Sequence, residues 1–140
     1  MGKPINPASL PTPTGYSYAM STEGTHAIYF SGHTAMSAEG EIVGPDDIAK
    51  QFEKALLNLS QTANEAEVEL DDIVKLTLYA TDVDAYQASS KEIGAIYRRF
   101  FGDYYPAMTL VEVSRLWDSA GMIEIEAIAV RAADQEGGSP

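Results

Sequence analysis

Three glutamates interrupt the apolar runs near the carboxyl end of the chain: Glu112, Glu124 and Glu126. Burying a carboxylate costs free energy unless it is hydrogen-bonded or paired. A half-buried carboxylate can also exchange a proton near neutral pH, which is the chemistry of a general acid or base. Each of the three is therefore either a catalytic candidate or a structural carboxylate, and for Glu112 we favour the structural role.

A second polar group is formed by Ser31-Gly32-His33, which follows a predicted strand. A glycine at a strand end lets another group approach the backbone closely, and the amide after Ser31 could bind an oxyanion. The imidazole of His33 can act as an acid or base near pH 7; the alternative is a solvated or capping loop histidine. Tyr16 carries a hydroxyl that can donate to a substrate or to water, or it is a packed tyrosine of an edge strand.

The composition limits the classes of partner. The chain has 140 residues, 45% of them hydrophobic, which suits one domain with one core. The formal net charge of −12 argues against nucleic acid and anionic membranes, because phosphate binding requires lysine and arginine. Cysteine is absent and only two histidines occur, which excludes thiol chemistry and disfavours a metal site. No signal peptide or membrane-spanning run is recognisable, so we expect a cytoplasmic protein.

The elements that must position these residues are predicted from hydrophobic periodicity and from turn and cap signals. We expect a hairpin over residues 16–31, a helix opened by Pro45, a strand over Ile73–Ala80, a second helix from Asp82 or Asp84 to Gly102, and a final hairpin over residues 106–130 whose loop ends at Gly121. This order favours an α+β mixed sheet with two helices on one face. Residues 1–131 then form a single domain, and the tail 132–140 is expected to be disordered.

The sheet face away from the helices is half apolar and half acidic in the last strand, where Glu124 and Glu126 alternate with Ile128 and Val130. Met108, Leu110 and Leu116 are spaced by even numbers of residues from Glu112, so we assign them to the same exposed face. Such a face is either in contact with solvent or covered by another subunit. We favour coverage by another subunit.

These motifs, taken in chain order, resemble the Rid family, the YjgF-type enamine and imine deaminases. The resemblance covers roughly residues 14–131 and rests on the following segments: Gly15-Tyr16-Ser17, Phe30-Ser31-Gly32, Gln51 with Asn58, residues 72–77, Tyr97 with Phe100, Pro106-Ala107, residues 111–113 and residues 123–129. The family implies a chorismate-mutase-like α+β fold. It also implies a homotrimer with a central barrel-like core and ligand clefts between subunits. Its best-known members hydrolyse 2-imino acids to 2-keto acids and ammonia without a metal or cofactor.

The resemblance also implies roles for individual residues. Glu124 matches the glutamate that positions or activates the attacking water, with a structural carboxylate at the subunit interface as the alternative. Tyr16, Ser31 and Gly32 match positions that line the cleft. His33 belongs to a Ser-Gly-His-Thr-Ala-Met sequence that resembles the more divergent branches of the family.

Met108 stands where those members carry the arginine that holds the substrate carboxylate as a bidentate pair. Methionine cannot bind a carboxylate, so this chain departs from the family pattern at that residue. Thr109 and Leu110 are expected to line the cleft beside it.

The sequence therefore predicts a Rid-like hydrolase of a small enamine, imine or related labile metabolite. Its specificity is altered at Met108, and a substrate with an apolar or aromatic body suits a methionine-lined pocket. Two alternatives remain open at this point. One is a non-catalytic trimer that binds a small molecule or a protein, and the other is a different reaction in a specialised pathway.

Overall fold

Four strands form the main sheet of the protein, and three helices pack on it. The structure is a computed structural model that describes residues 2–132. Its strands and helices are β1 (Lys3–Ile5), β2 (Ala19–Ser21), β3 (His26–His33), α1 (Ile48–Glu65), β4 (Ile73–Ala80), α2 (Val83–Ala88), α3 (Ser90–Phe101), β5 (Ala107–Glu112) and β6 (Ile123–Arg131). The main sheet has the order β3-β6-β4-β5, with β5 parallel to β4 and the other pairs antiparallel. The α+β class and the mixed sheet agree with the prediction.

The predicted final hairpin is wrong, because β4 lies between β5 and β6. Residues 113–122 pass around the carboxyl end of β4 instead of turning tightly. On one side the amide of Val113 donates to the carbonyl of Ala80 (2.9 Å), and on the other the amide of Thr81 donates to the carbonyl of Met122 (3.0 Å). These two bonds hold the long connection against β4, so the turn signal at Gly121 marks the end of a crossover.

The predicted hairpin over residues 16–31 is also wrong. β2 pairs antiparallel with β1 in a separate two-stranded sheet, and β3 pairs with β6. The amide of Ser17 donates to the carbonyl of Pro106 (3.1 Å), and its hydroxyl donates to the carbonyl of Tyr105 (2.6 Å). The segment before β2 is therefore tied to the start of β5.

The first helix follows the predicted apolar face but begins at Ile48, after Pro45. Asp47 is its N-cap, and the carboxylate accepts a hydrogen bond from the amide of Lys50 (3.1 Å). Buried residues recur along one face of α1, as the periodicity predicts: Ile48, Ala49, Gln51, Phe52, Ala55, Leu56, Leu59 and Ala63. Glu67, with φ 60°, takes the left-handed conformation at the end of the helix that glycine usually adopts.

The predicted second helix is two helices, α2 and α3, separated at Ser89. Asp82 caps α2, accepting from the amide of Ala85 (2.9 Å). Gly102, with φ 66°, ends α3. One core cluster joins the helices to the helix side of the sheet.

Met108 and Leu110 lie on the helix side of the sheet, which corrects their assignment to the exposed face. Their parallel register with β4 sets this parity, because Met108 pairs with Leu76 and Leu110 pairs with Leu78, both buried. Both side chains pack against the core cluster. The exposed sheet face therefore carries Glu124 and Glu126 without Met108. The predicted disorder of residues 132–140 concerns residues that lie, apart from Ala132, outside those described.

Candidate functional site

The three glutamates have different surroundings. The carboxylate of Glu112 accepts a hydrogen bond from the amide of Val83 at the start of α2 (2.9 Å). Its structural role stays a prediction. Glu126 accepts from the hydroxyl of Tyr79 (2.6 Å). That hydrogen bond raises the pKa of Tyr79, because ionisation of the hydroxyl would remove the donated bond to the carboxylate. Within residues 2–132, Glu124 has no such hydrogen-bond donor.

Glu124 lies directly against the backbone of Gly32. A Cβ built on Gly32 would fall 1.9 Å from Oε2 and 2.6 Å from Cδ of Glu124. Atoms in ordinary contact are at least about 3.4 Å apart, so no residue with a side chain fits here unless the carboxylate moves. Gly32 has no positive φ, so the close approach of Glu124, and not the backbone angle, is what requires a glycine.

A β-bulge at Ser31 and Gly32 brings the backbone to this carboxylate. Phe30 of β3 pairs with Ala127 of β6, and His33 pairs with Ile125. The two β3 residues are three positions apart, whereas their partners on β6 are two positions apart. One extra residue on β3 is thus accommodated without a partner. Bulges of this kind redirect side chains and are frequent next to active sites.

His33 lies on the helix side of the sheet, and both of its ring nitrogens are bonded. Nδ1 is 2.7 Å from the carbonyl oxygen of Ser31, and Nε2 is 2.8 Å from the hydroxyl of Thr62 on α1. Because the Ser31 carbonyl can only accept, Nδ1 carries a proton. The histidine thus joins the bulge to α1; a direct contact of His33 with substrate stays a prediction.

A cavity of about 530 Å³ lies on the helix side of the sheet, opposite Glu124, between the strands and the helices. Its lining includes the predicted residues Tyr16, Met108 and Leu110. The remaining lining residues are mostly apolar or aromatic: Thr14, Gly15, Phe52, Leu56, Leu76, Leu78, Tyr86, Ser90, Ile93, Gly94, Tyr97, Arg98, Tyr105 and Ile125. The cavity is large enough for a small organic molecule.

The predicted site residues thus form two groups on opposite faces of the sheet. Glu124 and the bulge at residues 31–32 belong to the exposed face, and so does Thr109, whose hydroxyl accepts from Nζ of Lys75 (2.7 Å). Met108 and Leu110 belong to the cavity. In one chain the four-stranded sheet separates the two groups.

Gln51 is a positioning residue whose role the sequence pattern did not reveal. Its side chain is fully buried and makes three hydrogen bonds to backbone groups. Nε2 donates to the carbonyls of Gly44 (3.1 Å) and Ala120 (3.0 Å), and Oε1 accepts from the amide of Met122 (2.7 Å). Gln51 therefore holds the start of β6, two residues before Glu124. A polar residue within the apolar face of α1 was the available signal.

Asn58, two turns further along α1, serves a similar purpose. Its Nδ2 donates to the carbonyls of Thr34 and Met36, both at 2.9 Å. These bonds fix the segment that follows the bulge. Together, Gln51 and Asn58 connect α1 to the start of β6, which carries Glu124, and to the segment after β3, which carries the bulge.

Among residues 2–132, no group of three or more His, Asp or Glu side chains is arranged to hold a metal ion. None of the helices described is both long and apolar enough to cross a membrane.

Comparison with known proteins gives consistent matches along the chain. The family model described as Endoribonuclease L-PSP matches residues 7–131. A RutC family protein of Pyrococcus abyssi is 34% identical over 122 residues, covering 86% of this chain and 91% of the relative. The 2-iminobutanoate/2-iminopropanoate deaminase of Escherichia coli strain K12 is 33% identical over 135 residues, covering 94% of this chain and 99% of the relative.

Solved structures of proteins named as Rid family or YjgF proteins share the fold. The Rid family protein YyfB of Yersinia pestis matches with a TM-score of 0.83 and 28% identity, over 93% of this chain and 98% of that chain. The YjgF gene product of Escherichia coli matches with a TM-score of 0.64 and 32% identity, over 92% of this chain and 98% of that chain.

Proposed function

Because this chain belongs to the Rid (YjgF) family, whose sequence model is described as Endoribonuclease L-PSP, we propose that it hydrolyses the C=N bond of a small enamine or imine. The observation that carries this proposal is the carboxylate of Glu124, held against Gly32 with no hydrogen-bond donor from the described residues. The neighbouring Glu126 is already engaged by Tyr79 (2.6 Å). Glu124 is therefore the glutamate of this face that is available to water.

In the proposed reaction, Glu124 accepts a proton from water as the oxygen attacks the C=N carbon. Glu124 passes that proton to the imine nitrogen, which gives a carbinolamine. Glu124 then accepts the proton of the new hydroxyl group and delivers it to the amine as the C–N bond breaks, which gives a carbonyl compound and ammonia and restores the carboxylate. Backbone groups of the bulge at Ser31 and Gly32 contact the polar end of the substrate.

The proposed site is a cleft between subunits of a homotrimer. The separation of the two residue groups by the sheet supports this, because the cavity beside Met108 and the carboxylate of Glu124 cannot meet within one chain. A second copy that brings its exposed face to the cavity of the first would unite them. Exposed apolar side chains on that face, including Tyr29 at 76% exposure and Val111 at 41%, also favour coverage by another chain.

Specificity is proposed to differ from that of relatives named as 2-iminobutanoate/2-iminopropanoate deaminases. Met108, in the place of the carboxylate-binding arginine, makes the strand side of the cavity apolar. We do not propose RNA as a substrate, although the description of the family model, Endoribonuclease L-PSP, names RNA cleavage. Nine lysines and arginines against 21 acidic residues give too little positive charge for a phosphate backbone.

The test generates imines in situ with an amino-acid oxidase and measures whether the protein accelerates ammonia release. We expect acceleration by the natural chain and loss of at least about 100-fold in Glu124→Gln, the usual scale for removal of a general base. Glu112→Gln, on the same sheet but engaged at α2, is the matched control and should retain activity. Absence of acceleration with both small and bulky imines would refute the proposal. Light scattering that shows a monomer would refute the assembly.

A further inference from the structure

Gly94 stands in the middle of α3, where a glycine weakens the helix by roughly 1 kcal/mol relative to alanine. Its φ is not positive, so the backbone does not require a glycine. The nearest group to a Cβ built at Gly94 is Nη1 of Arg98, at 3.4 Å. Residues four apart share one face of a helix, so the guanidinium lies back over Gly94. A longer side chain at residue 94 would compete for that space.

Arg98 lines the cavity that also contains Met108. It is the only charged residue among the described residues that line this cavity. The neighbouring Arg99 forms an ion pair with Glu53 (2.6 Å), whereas the guanidinium of Arg98 makes no hydrogen bond or ion pair within residues 2–132. Arg98 thus supplies a cation without a protein partner at an otherwise neutral cavity.

The rest of the cavity suits an apolar, preferably aromatic, body. Phe52 and Tyr86 are in edge-to-face contact (6.2 Å), and Tyr97 and Tyr105 are stacked (5.1 Å). The hydroxyl of Tyr86 is a neutral donor at physiological pH, as in any tyrosine, and burial raises its pKa further, to about 12. A ligand with a flat apolar body and one anionic head would therefore find both parts of its chemistry matched here.

We propose that Arg98 binds the carboxylate of a ligand whose bulky apolar body fills the cavity between α3 and the sheet. The planar guanidinium can donate two parallel hydrogen bonds to a carboxylate. A local cation is needed because the chain as a whole, at a net charge of −12, repels anions. This inference rests on the proposed function and names its substrate class: imines of 2-amino acids with large apolar or aromatic side chains. The substrate carboxylate is then bound by Arg98 on α3, and not by the β5 residue, which is Met108 in this chain.

The test measures binding apart from hydrolysis. Isothermal titration of the whole protein with 3-phenylpropanoate, and with the uncharged 3-phenylpropanamide, separates the carboxylate from the apolar body. We expect the acid to bind more tightly than the amide, and Arg98→Met to weaken binding of the acid at least tenfold with little change for the amide. Arg99→Met removes the same charge one residue away and should weaken the acid less than twofold. Arg98→Lys should give an intermediate loss, because ammonium lacks the planar pair of donors.

Two outcomes would overturn the inference: equal affinity for acid and amide, or equal losses in Arg98→Met and Arg99→Met. No measurable binding of 3-phenylpropanoate by the natural chain would also overturn it. Binding that depends on Arg98, with no hydrolysis of any imine, would support this inference and refute the proposed function. Hydrolysis of small imines that is insensitive to Arg98→Met would do the reverse. Thermal unfolding of each variant confirms that it is folded.

Discussion

Replacement of Gln51 by leucine should destabilise the protein by about 2 kcal/mol. The substitution leaves three backbone groups without their partner: the carbonyls of Gly44 and Ala120 and the amide of Met122. An unpaired buried polar group costs about 1–3 kcal/mol, and the lower part of that range applies because Gly44 and Ala120 lie in loops that water can reach. The three groups therefore cost about 4 kcal/mol, and burial of the leucine side chain offsets about 2 kcal/mol.

The assay is thermal unfolding at one fixed protein concentration, because assembly makes the midpoint depend on concentration. For a chain of this length, a loss of 2 kcal/mol lowers the melting temperature by about 7 °C. Gln61→Leu is the matched control: Gln61 lies on the same helix but is exposed, so its replacement should change stability by less than about 0.5 kcal/mol. If Gln51→Leu lowers the midpoint no more than Gln61→Leu does, the three hydrogen bonds do not hold these loops.

Two further predictions concern the exposed face and the tyrosines. Gly32→Ala should lower imine hydrolysis about 100-fold, because its Cβ would fall 1.9 Å from Glu124 Oε2 and displace the carboxylate by more than 1 Å; in a Glu124→Gln background it should change activity little further. Burial raises the pKa of Tyr86 and of Tyr104 to about 12, so both hydroxyls favour the folded state below pH 10. That contribution is lost as the pH rises from about 10 to 12. Urea midpoints measured across this range should fall less steeply in Tyr86→Phe and Tyr104→Phe.

Contrary results would be informative in each case. Full activity in Gly32→Ala would mean that the position of Glu124 does not matter for the reaction. An equal loss in the presence and absence of Glu124 would place the effect of Gly32 elsewhere. Identical alkaline transitions in the natural chain and both phenylalanine variants would show that neither hydroxyl is as poorly hydrated as the packing indicates.

Local periodicity predicts much of the fold but not the neighbours of each strand. The apolar face of α1 and the alternation of β4 are visible in the sequence, because each depends on which residues one element buries. The position of β4 between β5 and β6 depends on long-range strand pairing, which no local pattern contains. The pairing with β4 also decides which face of the sheet Met108 occupies. Alternation alone groups Met108 with Glu112 and therefore assigns it to the exposed face, which is wrong.

The candidate site was predictable to a similar extent. Resemblance of motifs selects Glu124 and the bulge residues, because those motifs are contiguous in the chain. It cannot show that the sheet separates Glu124 from Met108, since parity becomes meaningful only with the register known. Arg98 was missed because an arginine in the last turns of a helix is usually a solvated residue favoured by the helix dipole. Arg98 differs from such a residue only in having Gly94 four residues earlier. That glycine becomes informative only once the cavity that both residues line is known.

Gly32 and Gly94 are glycines whose backbone angles do not require a glycine, and they lie on opposite faces of the sheet. Neither has a positive φ, and a glycine inside a strand or helix costs roughly 0.5–1 kcal/mol relative to alanine. In each case the space of the missing side chain borders a charged group, Glu124 at Gly32 and Arg98 at Gly94. If these two opposite charges shared one face, they would attract and neutralise each other. The intervening sheet prevents that pairing, so in the proposed assembly the arginine of one chain stays available to a carboxylate and the glutamate of a neighbouring chain stays available to water.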